Sequence, residues 1–263
     1  MPLDTSLIEH LGDELYDALN ARQVVAPLTE RHPEITIEDS YRIQLRMIER
    51  RLQAGEKVIG KKIGVTSQAV MNMLGVYQPD FGQLLDGMVY GDGSVIPAGT
   101  LIQPKAEGEI AFVLGRDLQG PGITAADVLR ATDGVMVCFE IVDSRVRDWK
   151  IKIQDTVADN ASCGAFVLGD RLVDVRTLDL RHCGMVLEKN GEVVVTGAGA
   201  ATMGSPVNAM VWLANTLGRL GMPLKASEVV LSGALGAMVP VVPGDQLRVT
   251  IGGIGSCSVR FGK

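Results

Sequence analysis

"GMVLEKNGEVVVTG", residues 184–197, reads as a β-hairpin and sets the architecture expected around it. Two apolar runs flank Asn190-Gly191, a dipeptide that accepts the positive φ values of a two-residue hairpin turn. The flanking strands are therefore expected to be antiparallel neighbours. Working outward, short strands are predicted near residues 107–115, 135–142, 164–168, 183–189, 192–197, 228–233, 245–251 and 255–261. Two helical patterns interrupt them. One follows Thr124 in "AADVLRA"; the other runs over 206–218, where Val207, Met210, Val211, Ala214 and Leu217 form one face. Strands and helices do not alternate regularly, which argues against a doubly wound parallel sheet. The expected class is α+β, with a mixed, largely antiparallel β-roll or barrel.

Upstream the texture is helical. Leu7, Leu11, Leu15 and Leu19 recur every four residues after a cap at Asp4 or Thr5. Thr36 opens "TIEDSYRIQLRMIERRLQAGE", with acids in its first turn, basic residues in its last and Gly55 as the stop. A short third helix is expected after Ser67, using Val70, Met71 and Leu74. The chain thus divides into a helical region, 1–75, and a β-rich catalytic region, 76–263, packed as one compact unit.

Composition bounds the function. The chain has 263 residues, 46% hydrophobic and 21% charged, which is a globular composition. A net charge of −6 without a run of Lys or Arg argues against nucleic acid or an anionic membrane as partner. The acidic start lacks the features of a signal peptide, and no stretch approaches the roughly 20 apolar residues of a membrane span. Cys138, Cys163, Cys183 and Cys257 are far apart and form no C-x-x-C, so free thiols in a reducing, cytoplasmic setting are expected.

The chemistry gathers at "QPKAEGEIAFVL", residues 103–114. Glu107 and Glu109 stand two apart on a predicted strand, so they point the same way, about 6.6 Å apart at Cα. Gly108 leaves the other face bare. The next strand, "GVMVCFEIVDSR", holds Glu140 in an apolar run. Carboxylates in a low-dielectric setting repel one another unless a cation compensates them. With none of the three histidines beside them, the acids suit a hard ion, Mg²⁺ or Mn²⁺. Spacing alone leaves a second reading open, in which they face solvent or pair with Lys105 and Arg145.

Other stretches also carry chemistry-bearing residues. "VIGKKIGVTS" sets Lys61 and Lys62 at the end of an apolar, strand-like run; adjacent strand residues point opposite ways, so one can face inward while the other is solvated. "LGVYQPDFG" reads as an irregular loop that could aim Asp80 at a pocket, or as a simple turn. Asp155, Asp159, Asn160 and Ser162 precede a strand, where capping or turn formation also explains them. The glycine-rich "TGAGAATMGSP" lacks the third glycine and the downstream acid of a dinucleotide fingerprint, and is rejected as a cofactor loop.

Taken together, "GKKIGVTS", "LGVYQPDFG", "QPKAEGEIAFVL", "FEIVDSR", "DWKIKIQDTVADNASCG" and "GAGAATMGSPVNAMVWLAN" resemble the 2-hydroxypenta-2,4-dienoate (2-oxopent-4-enoate) hydratases of meta-cleavage pathways. These belong to the fumarylacetoacetate-hydrolase-like fold group. The resemblance runs from "GDELYDAL" to "GGIGSCSVRF" and implies a helical N-terminal part before a mixed β-roll. It implies Glu107, Glu109 and Glu140 as ligands of a divalent metal, Lys62 and Asp80 as catalytic residues, and Ser162 as a lining of the substrate pocket. A homo-oligomer, a pentamer or a dimer of pentamers, is implied as well.

The implied reaction adds water to a 2-hydroxydienoate. A sister branch, the 4-oxalocrotonate decarboxylases, shares the glutamates, the lysine and "DNAS" but lacks the acid of "QPDFG", and Asp80 tips the reading to hydratase. The two branches associate, so a sister decarboxylase is a candidate partner and a silent scaffold role an alternative; the intact acids and lysine argue against silence. An acylpyruvate hydrolase would use the same glutamates, but needs a water-activating pair that is not identifiable here.

Overall fold

The computed structural model describes residues 3–263, without the side chains of residues 69, 73 and 74. Three helices come first: α1 (Thr5–Ala21), the short α2 (Leu28–Arg31) and α3 (Ile37–Gln53). Asp4 caps α1 by accepting from the Leu7 amide. Thr36 and Asp39 cap α3 reciprocally, satisfying two otherwise orphaned amides. In α1 the buried stripe is Ile8, Leu11, Leu15 and Ala18. The strict four-residue leucine row drifts off that stripe, because a helix turns every 3.6 residues. Next come β1 (Val58–Gly64), α4 (Gln68–Leu74), β2 (Asp80–Leu85), β3 (Val89–Gly91) and β4 (Val95–Ile96). The helix expected after Ser67 is present as α4, and Ser67 caps it. The packing expected of Leu74 lies outside the described side chains.

The remainder is β5 (Lys105–Leu114), α5 (Ala125–Ala131), β6 (Thr132–Val142), α6 (Ile153–Ala158), β7 (Cys163–Leu168), β8 (Gly184–Lys189), β9 (Glu192–Ala198), α7 (Pro206–Arg219), β10 (Val229–Leu231), β11 (Val239–Pro240), β12 (Gln246–Ile251) and β13 (Gly255–Phe261). The hairpin read from Asn190-Gly191 is present as β8–β9, with both turn residues at positive φ.

These strands form two mixed sheets. The larger runs β2-β1-β10-β5-β6-β7-β3, with β11 also paired to β5; the smaller runs β4-β13-β12-β8-β9. Most pairs are antiparallel, while β1–β10, β3–β7 and β4–β13 are parallel. The sheets are open, so the barrel alternative is corrected: among the described residues no strand pairing closes either one. β1, from the helical region of the sequence, is an interior strand of the larger sheet.

Period-two alternation splits the core in two. Ile110, Phe112, Val137 and Phe139 face the smaller sheet, meeting Met185, Val249 and Cys257, together with Met210 and Leu213 of α7. Ala111, Cys138, Phe166 and Leu231 face the opposite way, toward Leu11, Leu15, Ile43 and Met47 of α1 and α3. Glu107 and Glu109 share the parity of Ala111, so the acids lie on the face that the N-terminal helices cover. Gly108 points to the other side, where an added Cβ would come within 2.6 Å of Met185 Sδ and 2.8 Å of Val249 Cγ2. That face is bare because the second sheet occupies it.

Candidate active site

Antiparallel register brings the acids together. Glu107 pairs with Glu140 across β5–β6, and Glu109 pairs with Cys138. Directly opposed residues project to the same face, and i+2 does too. Carboxylate oxygens of Glu107, Glu109 and Glu140 accordingly lie within 4.8 Å of one another. Glu109 and Glu140 are fully buried and Glu107 keeps partial exposure. Burial and the Glu140 charge push the Glu107 carboxyl up to about 7, and the same two causes, in the same order, carry Glu109 well above its ordinary value.

The oxygens are poorly satisfied. Glu109 Oε2 accepts from the Gly233 amide at 2.8 Å, while Oε1 has no partner among the described residues. Glu140 Oε1 lies 2.9 Å from Lys62 Nζ, but neither Glu140 oxygen receives a hydrogen bond of regular geometry. Buried polar atoms are normally paired, so a cluster of unpaired carboxylate oxygens marks a place for a ligand. Neither Lys105 nor Arg145 forms an ion pair with these acids among the described residues. Lys105 lies over the Trp149 ring at 4.1 Å, and Arg145 is committed to Asp159 at 2.5 Å.

Lys62 reaches Glu140 from β1, three strands away in the order β1-β10-β5-β6. In a flat sheet the two backbones would stand roughly 14 Å apart, so the 2.9 Å contact needs the two long side chains to lean toward each other, the sheet to curl, or both. Burial disfavours the Lys62 charge, but Glu140 and then Asp80 outweigh it and hold the ammonium protonated.

Asp80 is not in a loop, as its sequence suggested; it is the first residue of β2, paired with Gly64 of β1. A Cβ at Gly64 would collide with Asp80 Oδ1 and lie 3.2 Å from Lys62 Nζ, so the missing side chain makes room for both groups. Burial pushes the Asp80 carboxyl up, with Lys62 opposing and Glu140 reinforcing the shift. Its Oδ1 also lacks a partner among the described residues.

Ser162 is buried in a turn in which Asn160, Ala161 and Ser162 all take positive φ, at 53°, 49° and 54°. Its hydroxyl lies 3.0 Å from Thr156 Oγ1. Three consecutive non-glycine residues in this region store backbone strain, which collects at functional sites. Lys61 is a second correction. It is buried, not solvated, and pairs with Glu228 at 3.0 Å.

Sequence reading missed Gln44, and it named Asn160 without its part in fixing β2. Gln44, fully buried on α3, donates to Phe81 O at 3.0 Å and to Val157 O at 2.8 Å. Asn160 accepts from the Gln83 amide at 2.7 Å and donates to its carbonyl at 2.9 Å. A glutamine between Ile43 and Met47 on an apolar helix face was the available signal.

A family model for the C-terminal part of fumarylacetoacetate (FAA) hydrolase matches residues 76–261. The chain belongs to the fumarylacetoacetate hydrolase family. Over 84% of its length and all of the relative's, it is 65% identical to a 2-hydroxypent-2,4-dienoate hydratase of Pseudomonas putida. It is 56% identical to a 2-hydroxyhexa-2,4-dienoate hydratase of Comamonas testosteroni, over 98% of both chains. Among solved structures, 4-oxalocrotonate decarboxylase from Pseudomonas putida G7, complexed with magnesium and adipate, superposes with a TM-score of 0.95 at 39% identity, over 98% of each chain. The helices and mixed sheets expected from the sequence are those of this family.

Proposed function

We propose that this protein is a divalent-metal-dependent hydratase that converts 2-hydroxypenta-2,4-dienoate to 4-hydroxy-2-oxopentanoate in aromatic catabolism. The observation that carries the reading is the cluster of Glu107, Glu109 and Glu140, with unpartnered oxygens, beside Lys62 and Asp80. Hydratase relatives at 65% and 56% identity support the reaction.

The donor set fits a hard cation. It is all oxygen, carries more negative charge than one lysine offsets, and leaves buried lone pairs free. We assign the metal to Glu107, Glu109 and Glu140, with Mg²⁺ or Mn²⁺ as the ion. When bound, it stabilises negative charge on the substrate's 2-oxygen as the enol becomes a ketone.

Lys62 and Asp80 then manage protons at the far end of the substrate. A proton added at C5, with the 2-hydroxyl proton lost, moves the double bond to C3–C4. Water next adds its oxygen to C4 and a proton to C3. Asp80, a carboxyl pushed up by burial, suits the taking and returning of a proton, and Lys62 supplies a fixed positive charge beside it. Ser162 lines the substrate's side of the site in this proposal.

A homo-oligomer is part of the proposal. Val193 and Val194 on β9, the edge strand of the smaller sheet, are 59% and 44% exposed, and such an edge is normally covered. A pentamer or a dimer of pentamers is the expected assembly, with a sister decarboxylase as a candidate partner. No described helix is long and apolar enough to cross a membrane. Four free thiols, three of them buried, suit a reducing cytoplasm.

The test is incubation of purified protein with freshly made 2-hydroxypenta-2,4-dienoate and Mg²⁺. The expected product is 4-hydroxy-2-oxopentanoate, identified by NMR. Faster release of CO₂ from 4-oxalocrotonate than hydration of the dienoate would replace this reading with the decarboxylase.

A further inference from the structure

β2 is an edge strand of the larger sheet, and its inner side pairs with β1. In an antiparallel edge strand, alternate residues turn their N–H and C=O outward, where no strand receives them. On β2 these residues are Phe81 and Gln83, and side chains from elsewhere meet each of their four groups.

The Phe81 amide donates to Tyr41 Oη at 3.3 Å, and the Phe81 carbonyl accepts from Gln44 Nε2 at 3.0 Å. The Gln83 amide and carbonyl are both taken by the Asn160 side chain. Three side chains thus stand in for a missing strand. Two of them, Tyr41 and Gln44, lie three residues apart on α3, so one face of one helix grips one residue, Phe81, through the peptide groups on either side of it. Tyr41 also stacks on Phe81, with centroids 4.4 Å apart and planes 17° apart. Gln44 ties the same point to Val157 of α6. Phe81 is the neighbour of Asp80.

We propose that Tyr41 and Gln44 are positioning residues, which complete the open edge of β2 and so hold the Asp80 carboxylate over Gly64 beside Lys62. The inference rests on the proposed role of Asp80 in hydration. It gives the helical region a purpose beyond covering the core: α3 sets where the proton-handling carboxylate sits. Gly82 fits the same arrangement, since a Cβ there would come within 2.5 Å of the Asn160 carbonyl oxygen. The strand must be bare at that point for the turn at 160–162 to approach.

The test uses Tyr41→Phe, which keeps the stacked ring and removes the acceptor for the Phe81 amide. A displaced catalytic group costs far more in rate than in binding, so kcat should fall roughly tenfold or more, while KM and Mn²⁺ affinity change less than about threefold. Combined with Asp80→Asn, the Tyr41→Phe change should add little further loss, because its effect passes through Asp80. In metal-free protein, hydrogen exchange at the Phe81 amide should quicken roughly tenfold, while the Gln83 amide stays protected by Asn160. Gln44→Met, which removes the carbonyl's partner, should show the same kcat loss with KM retained.

Unchanged kcat and unchanged Phe81 exchange in Tyr41→Phe would overturn the inference. So would a double variant whose losses simply multiply, or a loss confined to metal affinity. If the parent protein hydrates no dienoate, the proposed function fails, and exchange at Phe81 alone decides the clamp.

Discussion

Glu107 and Glu140 stand directly opposite each other across the β5–β6 pair, with Glu109 one step along the same face. Cross-strand neighbours have Cβ atoms roughly 5 Å apart, and like charges at that distance destabilise a sheet. The fold tolerates the arrangement because the cluster is built to receive positive charge, of which Lys62 supplies one unit.

Chelation should therefore abolish activity, and Mg²⁺ or Mn²⁺ should restore it. Glu107→Gln, Glu109→Gln and Glu140→Gln should each weaken Mn²⁺ binding by about tenfold or more in calorimetry, by comparison with the loss on mutating even outer partners of a metal site. Glu107→Gln and Glu109→Gln should leave the metal-free fold as stable or more so, since removing a charge relieves repulsion, whereas Glu140→Gln should destabilise it by leaving the buried Lys62 ammonium without its nearest partner. Full turnover under persistent chelation would rule out the metal.

The pH response of the metal-free protein carries a definite sign. Burial and Glu140 raise the Glu107 carboxyl from 4.5 to about 7. Between those values the folded chain keeps a proton that the unfolded chain has lost, so stability falls as pH rises through this window. Denaturant midpoints in EDTA should drop from pH 5 to pH 7 more steeply in the parent than in Glu107→Gln. Saturating Mg²⁺ should shrink the difference, because metal replaces the proton. Parallel slopes in the presence of EDTA would show that Glu107 titrates normally.

Gly108 separates the acids from the second sheet. Gly108→Ala would press its methyl onto Met185 and Val249, and overpacking of this kind typically costs about 1–3 kcal/mol. A lowered denaturant midpoint with Mn²⁺ affinity kept is the expected outcome. An unchanged midpoint would mean that the two sheets adjust freely at this seam.

What was legible in the sequence was local. The acid pair, the Asn190-Gly191 hairpin and the caps at Asp4, Thr36, Ser67 and Thr124 each rest on residues a few positions apart. Failures came where a distant segment decides. Pro79-Asp80 and Gly82 look like a turn, but the glycine makes room for Asn160 in a strand. Lys61 looks like a solvated neighbour until Glu228, 167 residues further on, arrives ahead of the parallel strand β10. Closure into a barrel depends on which edges meet, and alternation along one strand carries no information about that. The grip of Tyr41 and Gln44 on Phe81 was invisible for the same reason.

On the proposed reading the choice between hydration and decarboxylation turns on Asp80. Both reactions, on that reading, begin with a 2-oxygen on a divalent metal at the glutamates, so the glutamates do not separate them. Hydration also needs protons moved around C3 to C5, away from the cluster. Asp80 is buried, lies beside Lys62 across the bare Gly64 position, and has an oxygen without a partner. Asp80→Asn keeps the shape and removes the proton, so kcat should fall about a hundredfold or more on general acid–base magnitudes. Gly64→Ala should produce a loss in the same direction by pushing the carboxylate aside, with both variants binding Mn²⁺ as the parent does. Stopped-flow loss of dienoate absorbance, with product assayed separately, gives the comparison. If Asp80→Asn hydrates at the parental rate, Asp80 is not the proton carrier and the assignment of hydratase over decarboxylase loses its residue.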